Sequence, residues 1–116
     1  MPVEDKKGLE SKIAKRFARA PYFLFVNLKG KQIKSHYFLK NSYQAKKVKA
    51  GLAVAKLVAL QKSEVLITQQ IGEISFHTLR DYLFDIYQAR EGRAKEVIND
   101  FIKGKLESLE KATREE

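Results

Sequence analysis

The chain has no cysteine and no tryptophan, and only two prolines and one methionine among its 116 residues. Without cysteine there can be no disulfide, no thiolate-bound zinc or iron–sulfur cluster, and no cysteine nucleophile. No apolar run approaches the roughly 18 residues that span a bilayer, and the N-terminus lacks a signal-peptide core. The expectation is a soluble, cytoplasmic chain. Its length suits one domain with its own core. Glycine-rich phosphate loops, dinucleotide fingerprints and the Gly-x-Ser-x-Gly elbow are all missing. The carboxylates form no pair suited to acid–base or two-metal chemistry. Binding is expected, not catalysis, and no catalytic residue or metal ligand is expected.

One absence is local. Between Ser11 and Ser63 there are 13 basic residues and no acidic one. Residues 1–63 carry 15 Lys/Arg and 3 Asp/Glu, a net +12; residues 64–116 carry 8 and 11, a net −3, and together they give the +9 of the whole. Such a half either attracts phosphates, nucleic acid or anionic headgroups, or is simply solvated by lysine.

Hydrophobic spacing gives the elements. Leu9, Ile13 and Phe17 recur every four residues and predict a short helix ending near Ala18, before Pro21. Tyr22–Leu28 reads as a strand buried on both faces. Lys29-Gly30-Lys31 is a turn, and Gln32–Lys40 alternates as the second arm of a hairpin. Asn41-Ser42 offers an N-cap to a helix reaching about Gln61, with Val48, Leu52, Ala55 and Ala59 as its buried stripe. Glu64–Thr68 is a buried strand, and Ile74–Leu83 a helix with Phe76, Leu79, Arg80 and Leu83 on one face. Phe84–Ala89 is the last predicted strand. A final helix packs Val97, Ile98, Phe101 and Ile102 inward, and a charged tail is expected to fray from Lys105. The order implies an α/β fold: a mixed sheet with helices on both faces.

Candidate binding residues are few. Arg16 and Arg19 flank Phe17, where arginine either forks onto an anion or caps a helix end. The Gln69–Gly72 loop follows a strand's carboxyl end, where open α/β sheets place ligands, or is a plain connection. His77, four residues before Asp81, is either a base with its orienting carboxylate or an ordinary helix pair. His36 reads as a surface residue.

Phe17-Ala-Arg-Ala-Pro-Tyr-Phe-Leu24 resembles the His-Phe-Gly-Arg-Ala-Pro-Tyr-Phe signature of the dinitrogenase iron–molybdenum cofactor biosynthesis domain. The run Ala50-Gly-Leu-Ala-Val-Ala-Lys-Leu57, then Val65-Leu-Ile-Thr and Ile71-Gly72, is similar to that family's later helix, strand and loop. The resemblance spans roughly residues 2–106, leaving 107–116 as a tail. It implies a ribonuclease-H-like three-layer fold with a mixed five-stranded sheet, and an iron–molybdenum cofactor precursor as the family's ligand. Here Arg16 stands at the signature's His, Ala18 at its Gly, and Lys46, Lys47 and Lys49 where relatives are His-rich. These exchanges replace metal ligands by positive charge, so no resident cofactor is expected. A small anion, or a protein partner, would meet Arg16, Arg19, Lys47, Gln70, Gly72 and His77.

Met1-Pro-Val-Glu-Asp5 resembles the end of a longer first strand. That predicts pairing near Val26 and Leu66, an exposed edge at residues 2–4, and self-association through it. The Gly72–Asp81 run resembles C-terminal extensions of cation diffusion facilitator transporters, which implies a cytoplasmic cation-efflux domain beside an anionic membrane surface. The rival reading is a small basic nucleic-acid-binding module, with Tyr37, Phe38 and Tyr43 as stacking groups.

Overall fold

A computed structural model describes residues 1–114. The hairpin forms as its alternation predicts: β2 (Tyr22–Lys29) runs antiparallel to β3 (Gln32–Lys40), with Gly30 in the left-handed region at φ 59° to close the turn. A two-residue β1 (Pro2–Val3) pairs with the start of β2, Pro2 opposite Phe23. A second sheet holds β4 (Val65–Thr68) parallel to β5 (Asp85–Gln88), and β6 (Glu107–Ser108) antiparallel to β5. The expected single five-stranded sheet is therefore two sheets of three strands, with no ladder joining β2 to β4.

The helices are α1 (Ala50–Ala59), α2 (Glu73–Asp81) and α3 (Ala94–Ile102), with a 3₁₀ turn at Gly8–Glu10. They do cover both faces. Phe23 and Phe25 of β2, Leu66 of β4 and Ile86 of β5 pack with α1 and α2 through Val54, Val58, Phe76 and Leu79. The alternate residues Leu24 and Ile67 pack with α3 through Val97 and Ile98. Period-two alternation thus feeds two separate cores. Lys95 Nζ lies 2.6 Å from Glu10 Oε1, ties α3 to the 3₁₀ turn, and holds the Glu10 carboxyl below its ordinary range by that hydrogen bond.

Several expectations fail, each for a tertiary reason. The helix predicted to end at Ala18 is an extended segment beyond Glu10. Its backbone is taken by neighbours: Ile13 N–H donates to Gly92 O at 2.9 Å, Ala14 N–H to Pro2 O at 2.9 Å, and Phe17 N–H to Gln70 O at 3.0 Å. The helix predicted from Asn41 starts nine residues later, at Ala50. Asn41 is buried and turns its amide back onto the carbonyls of Ala18 and Ala20, while its Oδ1 accepts from Tyr43 N–H. Val48, assigned to the buried stripe, is 68% exposed because the helix has not yet begun. Leu83 sits past the end of α2 at φ 65° and is 87% exposed. Pro2 and Val3 are buried, not an exposed edge, since Val3 pairs with Tyr22 on one side and bridges Ile13 on the other. The expected pairing with the strand around Val26 forms, at the Tyr22–Phe23 end of β2, and the one with the strand around Leu66 does not. The segment expected to fray instead supplies β6, packs Leu109 and Ala112 on the first core, and bonds Thr113 N–H to Ile71 O at 3.0 Å.

Candidate functional site

The chain crosses between the two sheets through residues 11–17, and this crossing builds the site. Gln70 N–H donates to Lys15 O at 3.0 Å and Gln70 O accepts from Phe17 N–H, so Arg16 and Gln70 stand side by side in a short parallel bridge. Arg16 faces solvent and has no hydrogen-bond or ion-pair partner among the described residues. Two residues on, Gly72 is the extended N-cap residue that leads into α2. Ser75, buried in that turn, donates from Oγ to Gly51 O at 3.1 Å. The first turns of α1 and α2 are thereby held together.

Arg19 is already engaged. Its Nη1 donates to Gln44 O at 3.0 Å and Lys46 O at 2.7 Å, and Gln44 Nε2 donates back to Arg19 O at 3.2 Å. The guanidinium clasps the 41–49 loop and so fixes Lys47, which is exposed, next to the residue it grips. His77 lies on the exposed side of α2, edge-on to Phe76 at 5.5 Å, and makes no ion pair with Asp81. No contact ties it to the Arg16–Gln70 bridge. The structure thus joins Arg16, Gln70 and Gly72, sets Lys47 by the Arg19 clasp, and leaves His77 apart.

Sequence reasoning placed Thr68 and Gln69 at this loop and missed Gln88, Thr113 and Arg114, which help to hold it. Thr68 is buried and its Oγ1 donates to Gln70 O at 3.3 Å. Gln69 Nε2 reaches the carbonyls of Ile13 and Ala14, and Gln88 Nε2 donates to Gln69 O at 3.0 Å. Thr113 Oγ1 accepts from Ile71 N–H at 2.8 Å, and Arg114 bridges Gly72. Gln88, Thr113 and Arg114 lie far from the loop in the chain and carry no local signal that points to it.

Metal ligation has little to work with. Among the described residues no three His, Cys, Asp or Glu side chains are grouped to hold a metal ion. His36 is on β3 beside Gly8, on a different element from His77. Two hollows remain. A cleft of about 440 Å³ lies between β2 and β4, lined by Leu24, Val26, Leu28, Val65 and Phe101. A shallow groove of about 370 Å³ runs along α1.

Fold and site together define a small α/β domain that presents a strand-end loop beside an exposed arginine. Residues 1–104 match the family described as dinitrogenase iron-molybdenum cofactor, and the chain belongs to that family. An uncharacterized protein of Methanocaldococcus jannaschii is 26% identical over 110 residues, 95% of this chain and 89% of that protein. The apo orange protein of Desulfovibrio gigas superposes with a TM-score of 0.83 at 20% identity, covering 97% of this chain and 92% of that one. A Thermotoga protein provisionally described as a NifB protein gives a TM-score of 0.80 at 29% identity, over 98% and 94% of the two chains. No helix among the described residues is long and apolar enough to cross a membrane.

Proposed function

We propose that this chain is a non-catalytic binding domain that holds a small anionic ligand at the Arg16–Gln70 bridge. The family's description points to an iron–molybdenum cofactor or its precursor as the cargo. The donor set here suits the anionic outside of such a group and not its metal ions. A protonated guanidinium has five donors and no lone pair to offer a cation, and thiolate is absent from the sequence. The observation that carries the reading is the exposed Arg16, whose guanidinium has no partner among the described residues and which the 15–17 ladder fixes beside Gln70.

Molybdate is the first probe. Titration calorimetry should show binding that Arg16→Ala weakens at least about tenfold, the scale of a lost charge-assisted hydrogen bond. Unchanged affinity in that variant refutes the site. The same preparation, reconstituted anaerobically with iron and molybdenum, should keep no stoichiometric metal through a chelator wash. Retained metal would mean direct coordination and overturn the outer-sphere reading. Duplex and single-stranded DNA should bind weakly and lose affinity steeply with salt; sub-micromolar binding at about 0.2 M salt would favour the nucleic-acid reading instead.

A further inference from the structure

Helix α1 is apolar on two sides. Its buried stripe is Gly51, Val54, Ala55 and Val58. Its outer stripe runs Lys49, Leu52, Ala53, Lys56, Leu57 and Leu60, residues three and four apart that share one face. Leu60 is 75% exposed, and Val48 at 68% and Tyr43 at 39% extend the apolar strip past the helix start. Lys46, Lys49 and Lys56 line the shallow groove. None has an ion-pair partner among the described residues, where Lys95–Glu10 is the one pair. No acidic residue occurs within the whole 11–63 stretch to compete for them.

We infer that the outer face of α1 and the preceding loop is a docking surface for an anionic lipid bilayer. Apolar side chains interleaved with lysines on one helix face are what an interfacial helix presents: the apolar groups enter the headgroup boundary while lysine stems snorkel and their ammonium groups meet phosphate. The kind of cation selects this partner over an acidic protein. An interface that reads individual carboxylates favours the planar fork of arginine, whereas this face holds only lysines, compact point charges suited to a diffuse layer of headgroups. The face is separate from the Arg16–Gln70 bridge and does not rest on the anion site.

The full chain is tested by co-sedimentation with vesicles of phosphatidylcholine, alone and mixed with phosphatidylglycerol. Binding is expected only to the mixed vesicles and should fall with salt. Each Lys→Ala at 46, 49 or 56 should lower partitioning about fivefold, and Leu60→Asp should abolish it with the thermal melt unchanged. Lys31→Ala and Lys34→Ala, on the hairpin turn and β3, provide the control and should change partitioning little. In the Val48→Trp variant, emission should shift to the blue on mixed vesicles. Failure to bind mixed vesicles overturns the inference. So does an equal loss from the hairpin and α1 lysines, which would mean diffuse charge attraction, or tighter binding to soluble poly-glutamate than to the vesicles, which would mean an acidic protein partner.

Discussion

Residues 11–17 and 41–49 look alike in one respect: both read as helix from sequence and neither is one. They fail for different reasons. The 11–17 crossing is extended because three neighbouring segments claim its backbone: β1 at Pro2, the turn at Gly92 and the loop at Gln70. It buries Ile13, Ala14 and Phe17 at 1% exposure each. The 41–49 loop lies on the surface, its residues exposed after Asn41. Two side chains, Asn41 and Arg19, hold it from below by taking carbonyls. One segment is fixed by ladders and burial, the other by a pair of clasps. Similar local sequence signals therefore end in a core element in one case and an adaptable surface in the other.

The sharpest break of this comparison is Phe17→Ala. Phe17 packs against Phe23 at 5.3 Å within the first core. Its truncation should cost about 3–5 kcal/mol in a denaturant melt, and a loss below about 1 kcal/mol would show that the crossing is not part of the core. The N-terminal amine, packed on the second core, adds a pH lever. It donates to Leu24 O at 3.1 Å, and burial pushes its pKa from 8.0 down to about 5. The folded chain then holds this amine neutral above about pH 5 while the unfolded chain still protonates it up to about pH 8. The unfolded state binds the extra proton in that window, so stability should fall as pH drops through it, by at most about 4 kcal/mol. N-terminal acetylation should flatten that slope; an acetylated chain with the same slope assigns it to other groups.

The clasps should give smaller effects. Asn41→Ala leaves the Ala18 and Ala20 carbonyls without their donor and should cost about 1–3 kcal/mol. Arg19→Ala removes two exposed hydrogen bonds and should leave global stability within about 1 kcal/mol, yet raise amide exchange across residues 42–49. If both variants destabilise equally, the loop is as integral as the crossing and the contrast fails.

Sequence alone determined the elements whose signals are short-range. The hairpin followed from alternation and Gly30, and β4, β5 and α3 from their apolar runs, because strand pleat and helix turn act over two to four residues. Arg16, Gln70 and Gly72 were legible as candidates because loop position and charge are local facts. Family membership was legible in the residues that run from Phe17 into β2.

Tertiary structure decided the rest. Whether Leu9, Ile13 and Phe17 would wind or extend depended on backbone partners from Pro2, Gln70 and Gly92, far away in the chain. The split into two sheets depended on which strands met. Asn41 could cap a helix or clasp a neighbouring turn, and the position of Ala18 and Ala20 chose the second. The docking of Thr113 on Ile71, 42 residues distant, gave the charged tail a place that composition could not reveal. A buried backbone group must find a partner, and which partner is within reach is a property of the assembled chain.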